Sequence, residues 1–367
     1  MTQRSQIPPG HFFLPGPTEV DPTVAEAQTA PMIGHRGPEI KELVAELQTG
    51  LRLVFQTERP VVISTSSATG LMEAAVRNGV AGGRVLSLVN GAFSSRFADI
   101  SQACGHQTDR WEVEWGDFHD PVELERRLEG GDYQAVTVTH SETSTGVLQD
   151  LEALATVVGR HDDVLLLVDS VTGVAGAPVL TDRWGLDFVL TGSQKALALP
   201  PGLSFGATSQ AMLDRSALAL NKGYYFDLLP MMKSLEADQT PSTPAVSLLY
   251  SLRAQLRRVR AEGMEKRWAR HEAMRKMTED WVDETRRDGI GIGILAPSGH
   301  RSPTVTCITL PEGLEGPDVV GAMRRRGWVI GGGYGKTAEW AVRIGHMGDH
   351  DVTRLGSLLD TLGEVIR

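Results

Sequence analysis

Val164-Leu-Leu-Leu-Val-Asp169-Ser170 runs five apolar residues straight into an acid, and a second run, Phe188-Val-Leu-Thr-Gly-Ser193, leads into Gln194-Lys195. Short apolar runs without polar alternation fit strands buried on both faces, the pattern of a parallel sheet covered by helices. The same signal continues outward in both directions. Residues 61–64, 84–89, 135–140 and 203–208 read as further strands, and 70–78 and 151–160 carry helical periods between them. The chain is therefore expected to be α/β, with the sheet spanning most of its first two thirds.

Beyond a proline-bearing loop at 240–244, residues 245–287 hold no proline and a single glycine, Gly263, and read as one or two long connecting helices. Strands are expected near 304–310, 328–330 and 340–344, and helices near 317–326 and 351–366, which together make a small α+β unit. The expected division is an N-terminal segment, 1–20, a large domain, 21–255, and a small C-terminal domain, 256–367, that opens with the long connecting helix. Acidic residues outnumber basic ones by 46 to 36, a net charge of −10 over 367 residues. That balance works against nucleic acid or an anionic membrane as the main partner and favours a small molecule. Cys104 and Cys307 stand far apart, so neither a disulfide framework nor a cysteine-rich metal site is expected. No apolar run approaches the about 18 residues of a membrane span, and residues 1–11 carry no signal-peptide core. A cytoplasmic protein is expected.

In open α/β sheets ligands bind beyond the carboxyl ends of the strands, so the residues after each strand matter most. Ser64-Thr-Ser-Ser-Ala-Thr-Gly70 sets small hydroxyl residues at a helix start, where unpaired N–H groups suit a phosphate; an ordinary Ser/Thr cap would use the same residues. Asp169 ends a buried strand and needs a cation, N–H donors or its own proton, unless it serves as a helix cap or a metal ligand. Lys195, among small and apolar neighbours, suits a desolvated amine able to form a Schiff base, although most lysines are plain surface residues. Phe93, in Asn90-Gly-Ala-Phe-Ser-Ser-Arg96, suits either stacking on a flat ring or a place in the core. His140-Ser-Glu-Thr143-Ser-Thr-Gly146 follows another strand and offers hydroxyls, as any capping turn does. An anion seat, a carboxylate and an amine together meet the needs of pyridoxal phosphate: a place for its phosphate, a partner for its ring nitrogen and a partner for its aldehyde.

At this point the chain resembles the class V aminotransferases, fold-type I pyridoxal-phosphate enzymes, in the alanine–glyoxylate and serine–pyruvate branch. Leu14-Pro-Gly-Pro-Thr18, Gly34-His-Arg-Gly37, Ser67-Ala-Thr-Gly70, Asn90-Gly-Ala-Phe93, His140 to Gly146, Val168-Asp-Ser-Val171, Gly192-Ser-Gln-Lys195, Thr243-Pro-Ala-Val-Ser247 and Val342-Arg-Ile-Gly345 carry the likeness in family order, over nearly the whole chain. The resemblance implies a large domain with a mostly parallel, seven-stranded type of sheet, a small C-terminal domain and a homodimer. It implies that Lys195 binds the cofactor covalently and that Asp169 holds the ring nitrogen. Ser67, Ala68 and Thr69 then face the phosphate, Phe93 stacks where this branch often has tryptophan, and Thr143 and Gln194 complete the cofactor site. Thr243 would reach the neighbouring subunit's phosphate, with Thr240 standing where some relatives have tyrosine. Arg343 would clamp the substrate carboxylate, and His35 and Arg36 are further candidates for the substrate pocket. No metal is implied.

The expected activity passes an amino group from alanine or serine to glyoxylate or pyruvate. The alternatives are a phosphoserine-type transaminase and a lyase or desulfurase on the same scaffold. A desulfurase needs a mobile thiol. Cys307 lies inside a strand-like run and Cys104 just after a helical one, so neither suits that task.

Overall fold

The computed structural model describes residues 7–367; the first six residues of the expected segment 1–20 lie outside them. Seven strands form the large sheet, in the order Val61–Ser64, Ser204–Thr208, Phe188–Gly192, Leu165–Asp169, Tyr133–Thr139, Arg84–Val89 and Gln107–Glu112. Ser204–Thr208 runs antiparallel to both neighbours, and the pairs on its Leu165–Asp169 side are parallel. The five-residue strands ending at Asp169 and Gly192 are buried throughout, which is why they carry no polar alternation.

The expected strands lie within two residues of those observed, and the seventh, Gln107–Glu112, escaped notice in the sequence. It is an edge strand in which Trp111 alone is buried, so its Gln-Thr-Asp-Arg-Trp-Glu sequence carries an edge's charge and no apolar run. The helix Pro38–Phe55 was also missed. It starts on proline and buries Ile40, Leu43, Val44, Leu47, Leu51, Val54 and Phe55 along one stripe. Residues 245–287 form two helices, Val246–Glu262 and Met264–Arg287, broken where Gly263 takes a φ of +82°. Among the described residues no helix is long and apolar enough to cross a membrane.

A second core lies around a five-stranded sheet ordered Phe12–Phe13, Val329–Gly332, Ala341–Ile344, Thr306–Thr309, Gly293–Ile294. Met274, Val282, Met323, Leu355, Leu358 and Leu362 from three helices fill it. The N-terminal strand pairs Phe12 with Val329 and Phe13 with Ile330, so this stretch of the N-terminal segment is built into the second sheet. From there the chain crosses to the large sheet. Gly345 N–H donates to the Phe13 carbonyl at 2.9 Å, and a β-carbon on Gly345 would stand 2.1 Å from the Leu14 carbonyl oxygen. Thr18 N–H then donates to the Gln194 carbonyl at 2.9 Å and Thr18 Oγ1 to the Lys195 carbonyl at 3.0 Å.

Phe13 is wholly buried in this second core, its ring stacked on His350. Phe13→Ala is expected to cost about 3–5 kcal/mol, the usual loss for emptying an aromatic site in a core. Denaturant unfolding followed by tryptophan fluorescence checks it, and a change below about 1 kcal/mol would mean that the N-terminal strand is only laid on the surface.

Candidate active site

Five segments at the ends of strands of the large sheet meet in one cleft, lined by Ser67, Ala68, Thr69, Phe93, Thr143, Asp169, Gln194 and Lys195 together with Arg96, Thr139 and Ser141. Eight residues singled out in the sequence therefore converge within a single chain.

Asp169 closes its strand with its side chain almost fully buried. Oδ1 accepts the Val171 N–H at 2.9 Å, and the Thr139 hydroxyl lies 3.4 Å from Oδ2. Burial pushes this carboxyl up to about 7, the Val171 N–H pulls the other way, and the negative charge of Glu142 adds to the rise. Lys195 sits in the turn after Phe188–Gly192, and Nζ donates to the Pro15 carbonyl at 2.6 Å. Its amine is brought down to about 8, first by burial and then by the Arg343 guanidinium, with Arg96 adding and Asp169 opposing. Gly16 makes the close approach of the N-terminal segment feasible. It has a φ of +119°, and a β-carbon there would fall 2.2 Å from Nζ.

The helix Ala68–Gly79 begins at the cleft, and the Ser67 hydroxyl makes no capping bond to it. The ordinary cap is thus not the use made of this serine, and the open first turn points its N–H groups and positive dipole end at the cleft. Phe93 lies in the first turn of the helix Ala92–Ala103. Its ring stacks on Tyr334 with centroids 5.5 Å apart, and the Arg96 guanidinium stands 4.9 Å from its centroid. Arg343 is half-buried at the margin of the cleft. Nε donates to the Gly332 carbonyl at 2.7 Å and Nη1 to the Thr143 carbonyl at 3.1 Å, which leaves three of the five N–H donors of a guanidinium, one on Nη1 and two on Nη2.

Three candidates do not join this cleft in their own chain. Thr243 lines a separate cleft with Thr65, Tyr225 and Thr240. Arg36, a candidate for the substrate pocket and equally for loop hydrogen bonds or a dimer contact, donates from Nη1 to the Thr240 carbonyl at 2.6 Å and from Nη2 to the Pro241 carbonyl at 3.0 Å. His35, half-buried beside it, is likewise remote from the Lys195 cleft. Sequence reading passed over Gly16, Arg96, Glu142 and Tyr334 as functional positions. The first three lie inside quoted motifs without a role of their own, and Tyr334 lies in the glycine-rich run Gly331-Gly-Gly-Tyr-Gly335, outside every quoted motif.

The residues present fit pyridoxal phosphate. A buried carboxylate with one firm N–H donor and, among the described residues, no cation in ion-pair contact matches a protonated ring nitrogen. A desolvated amine, an aromatic face and an open helix start stand around the same cleft.

Comparison with known proteins agrees with this geometry. The family model for class-V aminotransferases matches residues 23–346. An uncharacterized aminotransferase of Methanocaldococcus jannaschii is 38% identical over 342 residues, 92% of this chain and 87% of its own length. A serine–glyoxylate aminotransferase of Methylorubrum extorquens is 32% identical over 366 residues, 95% and 89% of the two chains. Among solved structures, an alanine–glyoxylate aminotransferase from Nostoc sp. superposes with a TM-score of 0.91 at 29% identity, covering 100% of this chain and 98% of the other. An aspartate aminotransferase of subgroup IV from Thermus thermophilus gives 0.88 at 32% identity, covering 97% and 98%.

The raised Asp169 makes a prediction for the cofactor-free protein. Between its ordinary value of 3.8 and about 7 the folded state holds a proton that the unfolded state has released, so this group's contribution to stability falls as pH rises across that window. Asp169→Asn removes the loss. Thermal melts of the cofactor-free forms should show the variant more stable than the parent at pH 8, with the gap closing toward pH 4; a gap independent of pH would mean that the carboxyl is not raised.

Proposed function

The chain belongs to the class-V aminotransferases, and on that premise we propose that it moves the amino group of a small amino acid, alanine or serine, to glyoxylate or pyruvate. It is a pyridoxal-phosphate-dependent transaminase. The observation that carries the assignment of roles is the placing of a lowered amine, Lys195, and a raised carboxyl, Asp169, in one cleft with a half-free guanidinium at its margin.

When bound, pyridoxal phosphate supplies an aldehyde for an amine and a cationic ring that takes up the electron pair left when the Cα–H bond breaks. In our reading Ser67, Ala68 and Thr69 hold its phosphate, Phe93 covers a ring face, and Thr143 and Gln194 flank it. Asp169 keeps a proton on the ring nitrogen, because an anionic oxygen with few other donors gains most from a cation there. Lys195 would hold the cofactor's aldehyde through its amine, and the same Nζ, when free, would be the base that takes the substrate's Cα proton and returns it. An amine at about 8 suits this work, since near neutral pH an appreciable fraction is free of its proton. Arg343 offers its Nη1–Nη2 edge to the substrate carboxylate, and its bonds to Gly332 and Thr143 keep the fork from rotating.

A desulfurase reading finds no support in the thiols. Cys307 is fully buried in the strand Thr306–Thr309 and pushed up to about 12 by burial, and Cys104, also raised by burial, is half-covered at the end of the helix Ala92–Ala103. A homodimer is part of the proposal. Thr243 lines a different cleft from Lys195 in its own chain, and exposed Met32, Leu220 and Tyr224 offer apolar surface for a second copy. Domain limits near 20 and 255 and a cytoplasmic location complete the reading; the two free thiols suit a reducing compartment.

A screen of amino donors against glyoxylate and pyruvate tests the activity directly, and failure of alanine and serine with both acceptors would overturn the substrate assignment. Lys195→Ala should lose nearly all turnover and the visible absorption of bound cofactor while keeping the fold. Arg343→Ala should raise KM for donor and acceptor together by about 10²-fold, since both present a carboxylate to one fork. If neither KM moves, the carboxylate is held elsewhere.

A further inference from the structure

Glu142 takes no part in the reaction as described, yet it is fully buried directly behind the cleft. Oε2 accepts the N–H groups of Phe93 at 3.0 Å and Ser94 at 2.9 Å, and Oε1 accepts the Ser144 N–H at 3.1 Å and the Ser144 hydroxyl at 2.7 Å. The Ser94 hydroxyl lies 3.0 Å from Oε2 as well. Every polar neighbour thus points a donor at this side chain, a surrounding that suits a carboxylate and not an amide, whose NH₂ would meet other N–H groups. Burying such a group is costly unless it is fully bonded, and here it is.

Its bonds go to functional positions. The helix Ala92–Ala103 has Gly91 as its N-cap, which brings no side chain to the N–H groups of the first turn, while the Ser94 hydroxyl accepts the Gly91 N–H at 3.0 Å. Glu142 takes the capping part from outside the helix, at the positive end of its dipole, and the N–H groups it holds are those that set where Phe93 begins. Gly91 leaves room for it: a β-carbon there would stand 2.4 Å from Glu142 Cγ and 2.5 Å from Ser144 Oγ. On either side of Glu142 in the chain, Ser141 and Thr143 face the cleft, and the Thr143 carbonyl is the one that holds Arg343.

We propose that Glu142 is a positioning residue that, from behind the wall of the cleft, fixes the Phe93 ring for the cofactor face and, through Thr143, the guanidinium that receives the substrate carboxylate. The proposal rests on the transaminase reading for the part that concerns substrate, and on the chain's own geometry for the part that concerns Phe93. The charge of Glu142 also adds to the rise of Asp169, so the same group acts on the residue that holds the ring nitrogen.

A double-mutant cycle separates positioning from mere support of the fold. The dissociation constant of pyridoxal phosphate is measured by quenching of tryptophan fluorescence for the parent, Glu142→Gln, Phe93→Leu and the double variant, with thermal unfolding alongside. Glu142→Gln is expected to weaken cofactor about tenfold in the parent and less than about threefold once Phe93 is gone, because neighbours acting through one another do not add. It should also change the circular dichroism of the bound cofactor and raise substrate KM more than it lowers kcat. Equal factors in both backgrounds, or unchanged affinity, would overturn the proposal and leave Glu142 as a structural cap. If Glu142→Gln does not fold, Gly91→Ala takes its place in the cycle, since its methyl displaces the same carboxylate. The cofactor measurement needs no substrate, so a chain that transaminates neither alanine nor serine would refute the function while the cycle still decides the role of Glu142.

Discussion

A carboxylate sealed at the end of a buried strand, with one firm N–H donor, is the constraint from which the rest of this molecule follows. Asp169 in that position is costly to ionise, and burial pushes its carboxyl up to about 7. Lys195 across the cleft is under the opposite pressure, its amine pushed toward the neutral form by burial and by Arg343. Two groups driven toward their uncharged states by the same desolvation are ready for a partner that brings a cationic nitrogen to one and an aldehyde to the other. The large sheet exists to hold that pair: parallel neighbours Leu165–Asp169 and Phe188–Gly192 end on the same side and bring Asp169 and the turn bearing Lys195 there together.

Much of this was legible in the residues. Apolar runs report buried strands, so the central sheet could be read from Val164 to Asp169 outward, and the strand-end rule directed attention to Ser67, Phe93, Thr143, Asp169 and Lys195, which do meet. What could not be read has physical reasons. The strand Gln107–Glu112 is an edge and carries polar residues where a pattern search expects apolar ones. The distinction between a capping serine and a free one, decided at Ser67 by a hydroxyl that bonds nothing in the helix, depends on the rotation of one side chain.

Two further residues turn on what the fold brings beside them. Arg36, in the Gly34-His-Arg-Gly37 motif, was open to the substrate pocket, to loop hydrogen bonds or to a dimer contact, and the loop 34–37 lies against 240–241, where two backbone carbonyls take its donors. Glu142 was passed over because an acid in a turn rich in hydroxyls looks like surface; only the fold shows that its donors come from Phe93 and Ser94, about fifty positions earlier in the chain. Sequence motifs mark residues that touch the reaction more readily than those that hold them, because a holding residue is defined by what lies on its far side.

The parallel pairing of Phe12–Phe13 with Val329–Ile330 also has a bearing on how the protein is made. The strand Phe12–Phe13 waits until more than three hundred further residues have been synthesised before its partner exists, while the large sheet has all seven of its strands by Thr208. Pairing at such separation is slow in any chain. The catalytic framework can therefore assemble ahead of its neighbour during translation, and the passage of Leu14 to Thr18 over Lys195 is among the last connections to be drawn tight.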